Sequence, residues 1–157
     1  MKPFEEVVAE HGLVVLRVCR ALLPPTDAED AWSETFLAAL RAYPSLPATA
    51  NLQAWLVTIA HRKAIDGLRA RARRPVPVAT VSAAPTPPGG PDPDLAAAVR
   101  ALPPKQRAAV AYHYLGGLPY AEVAGVVGGT PAAARRAAAD GIARLRRTFP
   151  HLEGDDR

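Results

Sequence analysis

Between residues 62 and 74 the chain carries Arg62, Lys63, Arg69, Arg71, Arg73 and Arg74 against a single acid, Asp66. Cations at that density break no bonds. They hold phosphates, and a basic helix end is the footprint expected of a surface that meets a polyanion. A second set is acidic: Asp27, Asp30 and Glu34 recur at i, i+3 and i+7, the spacing of one helix face. Acids in a first turn complement the helix dipole, but Glu34 lies deeper. The stripe continuing through Leu37 and Arg41 therefore reads as a contact surface for a cationic partner. A third set, Arg135, Arg136, Arg144, Arg146 and Arg147, crowds the C-terminal part. No paired carboxylates, nucleophile–base set or phosphate-binding glycine loop accompanies them, so no catalytic residue is assigned and no enzyme is expected. Cys19 is the sole cysteine, and His11, His61, His113 and His151 show no ligand spacing, so neither a metal nor a cofactor is expected.

The elements that carry these sets follow from composition and periodicity. With 157 residues, length alone favours one domain, and 49% apolar content is enough to bury a core. The net charge is +4, with nearly half of the acids ahead of residue 35 and arginines concentrated at 62–74 and 135–147. That segregation points to two kinds of partner surface, nucleic acid being the usual one for the basic part. The start lacks a signal-peptide core, and no apolar run approaches the roughly 20 residues that span a bilayer, so a soluble, cytoplasmic chain without membrane insertion is expected.

Phe4, Val7, Val8, His11, Val15, Val18, Cys19 and Leu22 recur at three- and four-residue spacing, predicting a long helix stopped at Pro24-Pro25. His11 is expected to be packed and hydrogen-bonded, and Cys19 to be a small core residue. Thr26 and Glu29 have capping-box spacing for a second helix ending before Pro44, with Trp32, Phe36, Ala39, Leu40 and Tyr43 inward. After the loop 44–50, Asn51 is the expected N-cap of a third helix, whose apolar face is Leu52, Trp55, Leu56, Ile59, Ile65 and Leu68. Residues 75–94 are proline-rich and aperiodic, a linker that overrides the length prior. Extended at roughly 3.1 Å per residue, it reaches about 60 Å.

Beyond it, Asp94 is an expected N-cap and Leu95, Val99 and Leu102 a short helix. A further helix runs to about Leu115, and a third covers Tyr120–Val127 with Val123, Ala124 and Val127 inward. Gly128-Gly129 breaks the chain, and Thr130-Pro131 opens a last helix with Ala134, Ala138, Ile142, Leu145 and Phe149 inward. Helix, glycine turn and basic helix is the helix-turn-helix pattern. The fold class is therefore all-α: a helical bundle over 1–74, a linker over 75–94, a helix-turn-helix domain over 95–150 and a polar tail over 151–157.

Read together, these pieces resemble the extracytoplasmic-function (group IV) sigma factors of bacterial RNA polymerase. DAEDAWSETFLAAL (27–40) is similar to the family's DAEDLVQETF segment of region 2, and LQAWLVTIAHRKAIDGLR (52–69) to its xxWLxxIARNxxxDxxR segment. LPPKQRAAVAYHYLGGLPYAEVAGVVGGTPAAARR (102–136) is similar to the region 4 pattern LPxxxRxxxxLxYxxGLSYxEIAxxLGxxxGTVKSR. The resemblance implies a promoter-recognition subunit for transcription initiation. Asp27, Asp30, Glu34, Leu37 and Arg41 would then meet the clamp helices of core RNA polymerase. Ser45, Leu46, Thr49 and Asn51 would take the −10 element as single-stranded promoter DNA, and Arg62, Lys63, Arg69, Arg71 and Arg73 its phosphates. Thr130, Ala132, Ala133, Arg135 and Arg136 would face the major groove at the −35 element. It also implies an anti-sigma protein of unknown identity as a further partner.

The departures are specific. Ser33 replaces the usual Gln, Arg62 the usual Asn, and Pro119 a capping Ser, while RRAAADG (135–141) stands for KSRLHRA, so few donors remain to read bases. Gly141 is also expected to cost roughly 1 kcal/mol against Ala inside a helix. The competing reading is a stand-alone helix-turn-helix regulator, usually a symmetric dimer. The acidic stripe and the lack of a dimerising segment weigh against it.

Overall fold

The computed structural model describes residues 2–73 and 93–149. Arg74, the expected linker up to residue 92, and the tail from residue 150 lie outside the described residues. Three helices make the first module: α1 (Phe4–Leu22), α2 (Pro25–Ala42) and α3 (Leu52–Arg73). The second module holds α4 (Pro93–Arg100), α5 (Pro104–Val110), α6 (Tyr120–Val127) and α7 (Pro131–Thr148). No strand occurs among the described residues.

The apolar spacing of α1 buries Val7, Val15, Val18, Cys19 and Leu22 against its neighbours. Burial pushes the Cys19 thiol up to about 12, the behaviour of a small core residue. His11 departs from expectation, because its buried Nδ1 has no hydrogen-bond partner and its Nε2 lies 3.8 Å from Glu10. The capping box does not form either. Pro25 takes the first position of α2, where its fixed φ suits the helix and no N–H needs a cap, leaving Thr26 inside the helix. Trp32 packs over Gly12 and donates from Nε1 to the Gly12 carbonyl at 2.8 Å, fixing α2 on α1.

On α3 the deepest residues are Ala54, Leu56, Val57, Ala60 and Ala64. Leu52, Trp55, Ile59 and Ile65 are only half-buried, and Leu68 is exposed. Counting large apolar residues overlooks the alanines that let α1 and α2 approach α3 closely. Leu40 and Val127, both expected inward, are also exposed.

In the second module α4 starts at Pro93, so Asp94 lies within its first turn rather than ahead of it. The helix expected to reach Leu115 changes pitch: α5 ends at Val110, and Ala111–Leu115 winds as a π turn closed by Gly116 N–H on the Ala111 carbonyl at 2.8 Å. Gly141 has a purpose that its helix propensity hides. A Cβ there would lie 2.7 Å from Val110 Cγ2, so the glycine lets α5 and α7 touch.

The two modules are packed together rather than held apart. Val99, Leu102, Val110, Ala111, Tyr112 and Leu118 belong to the same buried cluster as Val15, Val18, Cys19 and Ala60. Arg100 reaches across and donates to the Arg20 carbonyl at 2.7 Å, satisfying an acceptor in the last turn of α1.

Candidate polymerase and nucleic-acid interfaces

On α2 the residues Asp30, Glu34, Leu37 and Arg41 are all exposed and follow one stripe at spacings of three and four. Leu37 is 54% exposed and Leu40, one turn away, 51%. Two large apolar side chains therefore lie in water beside these carboxylates. Asp27 stands apart: it is half-buried and pairs with Arg71 of α3 at 2.8 Å. Asp27 also borders a cleft of about 210 Å³ lined by Asp30 and Glu34 from α2 and by Lys63 and Asp66 from α3.

The basic end of α3 is consequently two surfaces. Arg62, Arg69 and Arg73 recur at i, i+7 and i+11 and are exposed along one line, with Arg73 Nε donating to the Arg69 carbonyl at 3.3 Å. Lys63 and Arg71 turn instead toward the acids of α2. Sequence spacing gives this split once α2 is known to lie alongside, but not before.

Between α2 and α3 the chain makes a 3-10 turn at Tyr43–Ser45. Ser45, Thr49 and Asn51 are exposed and Leu46 is half-buried. The loop is anchored by Tyr43, whose ring packs on Phe4 at 5.4 Å and whose hydroxyl donates to the Lys2 carbonyl at 2.5 Å. Asn51 Oδ1 accepts the Ala54 N–H at 3.1 Å, the expected N-cap, so this side chain is engaged by its own helix.

In the second module, Gly128 and Gly129 both take φ +89°, a region that a side chain would disfavour, and they redirect the chain into α7. Thr130 Oγ1 accepts the Ala133 N–H at 3.1 Å and Pro131 occupies the first helical position. Both devices fix the N-terminus of α7. Thr130, Ala132, Ala133, Arg135 and Arg136 are exposed there, so all five residues predicted from the sequence share one end of one helix. The Arg135 guanidinium lies over the Tyr120 ring, 5.3 Å from its centroid. Tyr120 is not among the site residues read from the sequence, although it falls on the Tyr of the region 4 pattern.

The modules meet through polar contacts that periodicity does not foretell. His61 Nδ1 and the Tyr112 hydroxyl are 2.5 Å apart, and Gln53 Nε2 donates to the Gly116 carbonyl. Burial, and secondarily Arg62, hold the His61 imidazole below its usual range, while burial pushes the Tyr112 hydroxyl up. A cavity of about 250 Å³ beside this contact is lined by His61 of α3 and by Lys105, Gly128, Ala133 and Ala137 of the second module. Among the described residues no group of three or more acidic, histidine or cysteine side chains is placed to hold a metal, and no helix is long and apolar enough to cross a membrane.

Residues 7–74 match Sigma-70 region 2, and residues 94–145 match Sigma-70, region 4. The sigma factor RpoE of Bartonella quintana, solved with the anti-sigma factor NepR, is 26% identical with a TM-score of 0.73, over 98% of this chain and 99% of that one. CnrH, solved with the cytosolic domain of CnrY, is 21% identical with a TM-score of 0.68, over 94% of this chain and 88% of that one. No curated protein matches the chain. The two region matches, in order and taking in most of the chain, place it in the sigma-70 family: it is a sigma factor that acts in promoter recognition.

Proposed function

We propose that this sigma-70 family member divides its work among three surfaces. The α2 stripe of Asp30, Glu34, Leu37 and Arg41, with Leu40 beside it, docks on the clamp helices of core RNA polymerase. Asp27 contributes through its hold on Arg71 rather than by direct contact. The loop from Ser45 to Asn51 takes the −10 element as single-stranded DNA, with Arg62, Arg69 and Arg73 along its phosphates; Lys63 and Arg71 trim the charge of the acidic cleft. The N-terminus of α7 enters the major groove at the −35 element through Arg135 and Arg136. The modules, with boundaries near 1–74 and 95–150, contribute binding energy, and the polymerase performs the chemistry. The observation that carries this reading is the pair of exposed leucines set among carboxylates on α2. In vitro transcription by core polymerase on genomic DNA fragments tests it. Discrete initiation sites that require the wild-type chain, and that are lost with Asp30→Lys/Glu34→Lys, are expected; initiation unaffected by that variant would refute the docking surface.

A second reading concerns state. Two elements about one and a half helical turns apart are separated by about 50–55 Å on B-DNA. Here the N-terminal residues of α7 and the middle of α3 line one cavity of about 250 Å³. The packed arrangement is thus a closed state that opens before both elements are engaged. The whole-length likeness to RpoE in its NepR complex supports a closed form, and an anti-sigma protein binding this form is the corresponding partner. Energy transfer between fluorophores at Thr49 and Ala132 should fall when core polymerase is added; unchanged transfer in the promoter complex would overturn the opening.

A further inference from the structure

We propose that Tyr120 is a positioning residue for Arg135, and that base discrimination by α7 runs through Arg135 rather than Arg136; this rests on the reading of α7 as the duplex-facing helix. The Tyr120 ring is one layer of a built column. His113 stacks on it with centroids 3.9 Å apart and planes 13° from parallel. His113 is itself held by Nδ1, which donates to the Leu118 carbonyl at 2.8 Å, and Tyr114 stands edge-on to it at 4.8 Å and 87°. The imidazole occupies one face of the phenol ring, which leaves the other for the Arg135 guanidinium at 5.3 Å.

Backbone geometry makes the column rigid. The π turn at Ala111–Leu115 adds a residue to the helical turn that carries His113 and Tyr114, and Leu118 N–H closes on the Tyr112 carbonyl at 3.0 Å. Pro119, φ −61°, then delivers Tyr120 at the first position of α6. Arg136 has different surroundings: it lines the groove between α5 and α7 with Lys105, Gln106 and Asp140.

The consequence is one of preorganisation. A free arginine loses much rotamer freedom on forming the fork-shaped contact to guanine O6 and N7, whereas a guanidinium already laid on a ring loses less. Its neighbours at this end of α7, Ala132, Ala133, Ala134 and Ala137, offer no side-chain donors. The orientation of one side chain therefore decides which base pair is read.

The test uses the full chain bound to core polymerase and a duplex library with a randomised −35 element upstream of a fixed −10 element, selected and sequenced. Wild type and Tyr120→Phe, which keeps the ring, should select the same base at the Arg135 position. Tyr120→Leu should weaken that preference about two- to fivefold, the loss expected of an exposed cation–π contact. Arg135→Ala should abolish the preference, and the double variant should be no flatter than Arg135→Ala alone. Arg136→Ala should lower overall retention and leave the preference intact. Wild-type preference in Tyr120→Leu, additive losses in the double variant, or loss of preference in Arg136→Ala alone would overturn the proposal. If neither arginine variant changes retention or preference, the duplex-facing reading of α7 falls with it. Should Tyr120→Leu fail to fold, the Arg135 Cδ protons of the wild-type chain give a direct readout. Upfield ring-current shifts are expected, and unshifted resonances would overturn the pinning.

Discussion

Along the α2 stripe Asp30, Glu34 and Arg41 stand exposed with two leucines on a helix whose other side is buried, whereas at the start of α7 two arginines stand among alanines. The first surface combines apolar area with charge, the combination that concentrates binding energy in protein interfaces. The second has charge and a fixed backbone but almost no side-chain area, so it suits phosphate contacts and one or two base edges. The contrast teaches that exposed apolar area beside charge is built into α2 and left out of the start of α7. The sharpest break of that comparison is a combined Asp30→Lys/Glu34→Lys/Leu37→Ala/Leu40→Ala variant. Each leucine fully buried at an interface is worth roughly 1.5–3 kcal/mol, so affinity for core polymerase should fall by at least about two orders of magnitude. Fluorescence titration measures it, with helical content by circular dichroism unchanged; a loss under tenfold would mean that α2 is not the principal contact.

Next in size is Gly141→Ala. Helix propensity alone favours alanine by roughly 1 kcal/mol. The 2.7 Å approach to Val110 Cγ2 reverses the sign, and overpacking of this kind costs about 1–3 kcal/mol. The shared core adds a second expectation: both modules should melt in one transition, shifted to lower temperature in the variant. Two separate transitions would show that the second module is stable without the first.

Smaller still is the effect of Arg135→Ala/Arg136→Ala on promoter retention by the holoenzyme. The lost Arg136 phosphate contact should reduce the slope of log K against log salt by roughly one, while the lost Arg135 base contact lowers affinity with little change in slope. An unchanged slope together with unchanged affinity would mean that neither arginine meets DNA, leaving α7 without the role assigned to it.

How much of this was legible beforehand depends on the range of the signal. The core faces of α1 and α7 repeat every three or four residues, and the Asn51 and Thr130 caps sit beside the helices they serve, so local spacing was enough. Pro25 displaced the Thr26 capping box because a proline at the first position competes for the same helix start. The alanines of α3 were missed because close packing, not side-chain size, buries them. Leu40 and Val127 look like core residues in any periodicity count, and only the placement of neighbouring helices leaves them exposed. The π turn has no compositional mark. The packing of the two modules rests on pairs 51 and 80 residues apart in sequence, His61 with Tyr112 and Arg100 with Arg20, and nothing local announces them.

The smallest expected effect tests whether those distant pairs hold the closed form together. His61 faces the Tyr112 hydroxyl, lies beside Arg62 on its own helix, and shares a cavity with Lys105 of α5. Burial and Arg62 hold its pKa below the usual 6.5, whereas in an open chain the imidazole returns toward that value. The open form therefore binds more protons, so the closed form is favoured fully above 6.5 and weakens as pH falls from there toward the depressed value. Below that depressed value both forms are protonated and the effect levels off. Energy transfer between Thr49 and Ala132 labels, followed in the free chain from pH 8 downward, should decline only within this window. His61→Gln keeps a polar partner for Tyr112 and should remove the pH dependence while leaving the chain folded. A pH response that survives in His61→Gln would assign the linkage to other groups.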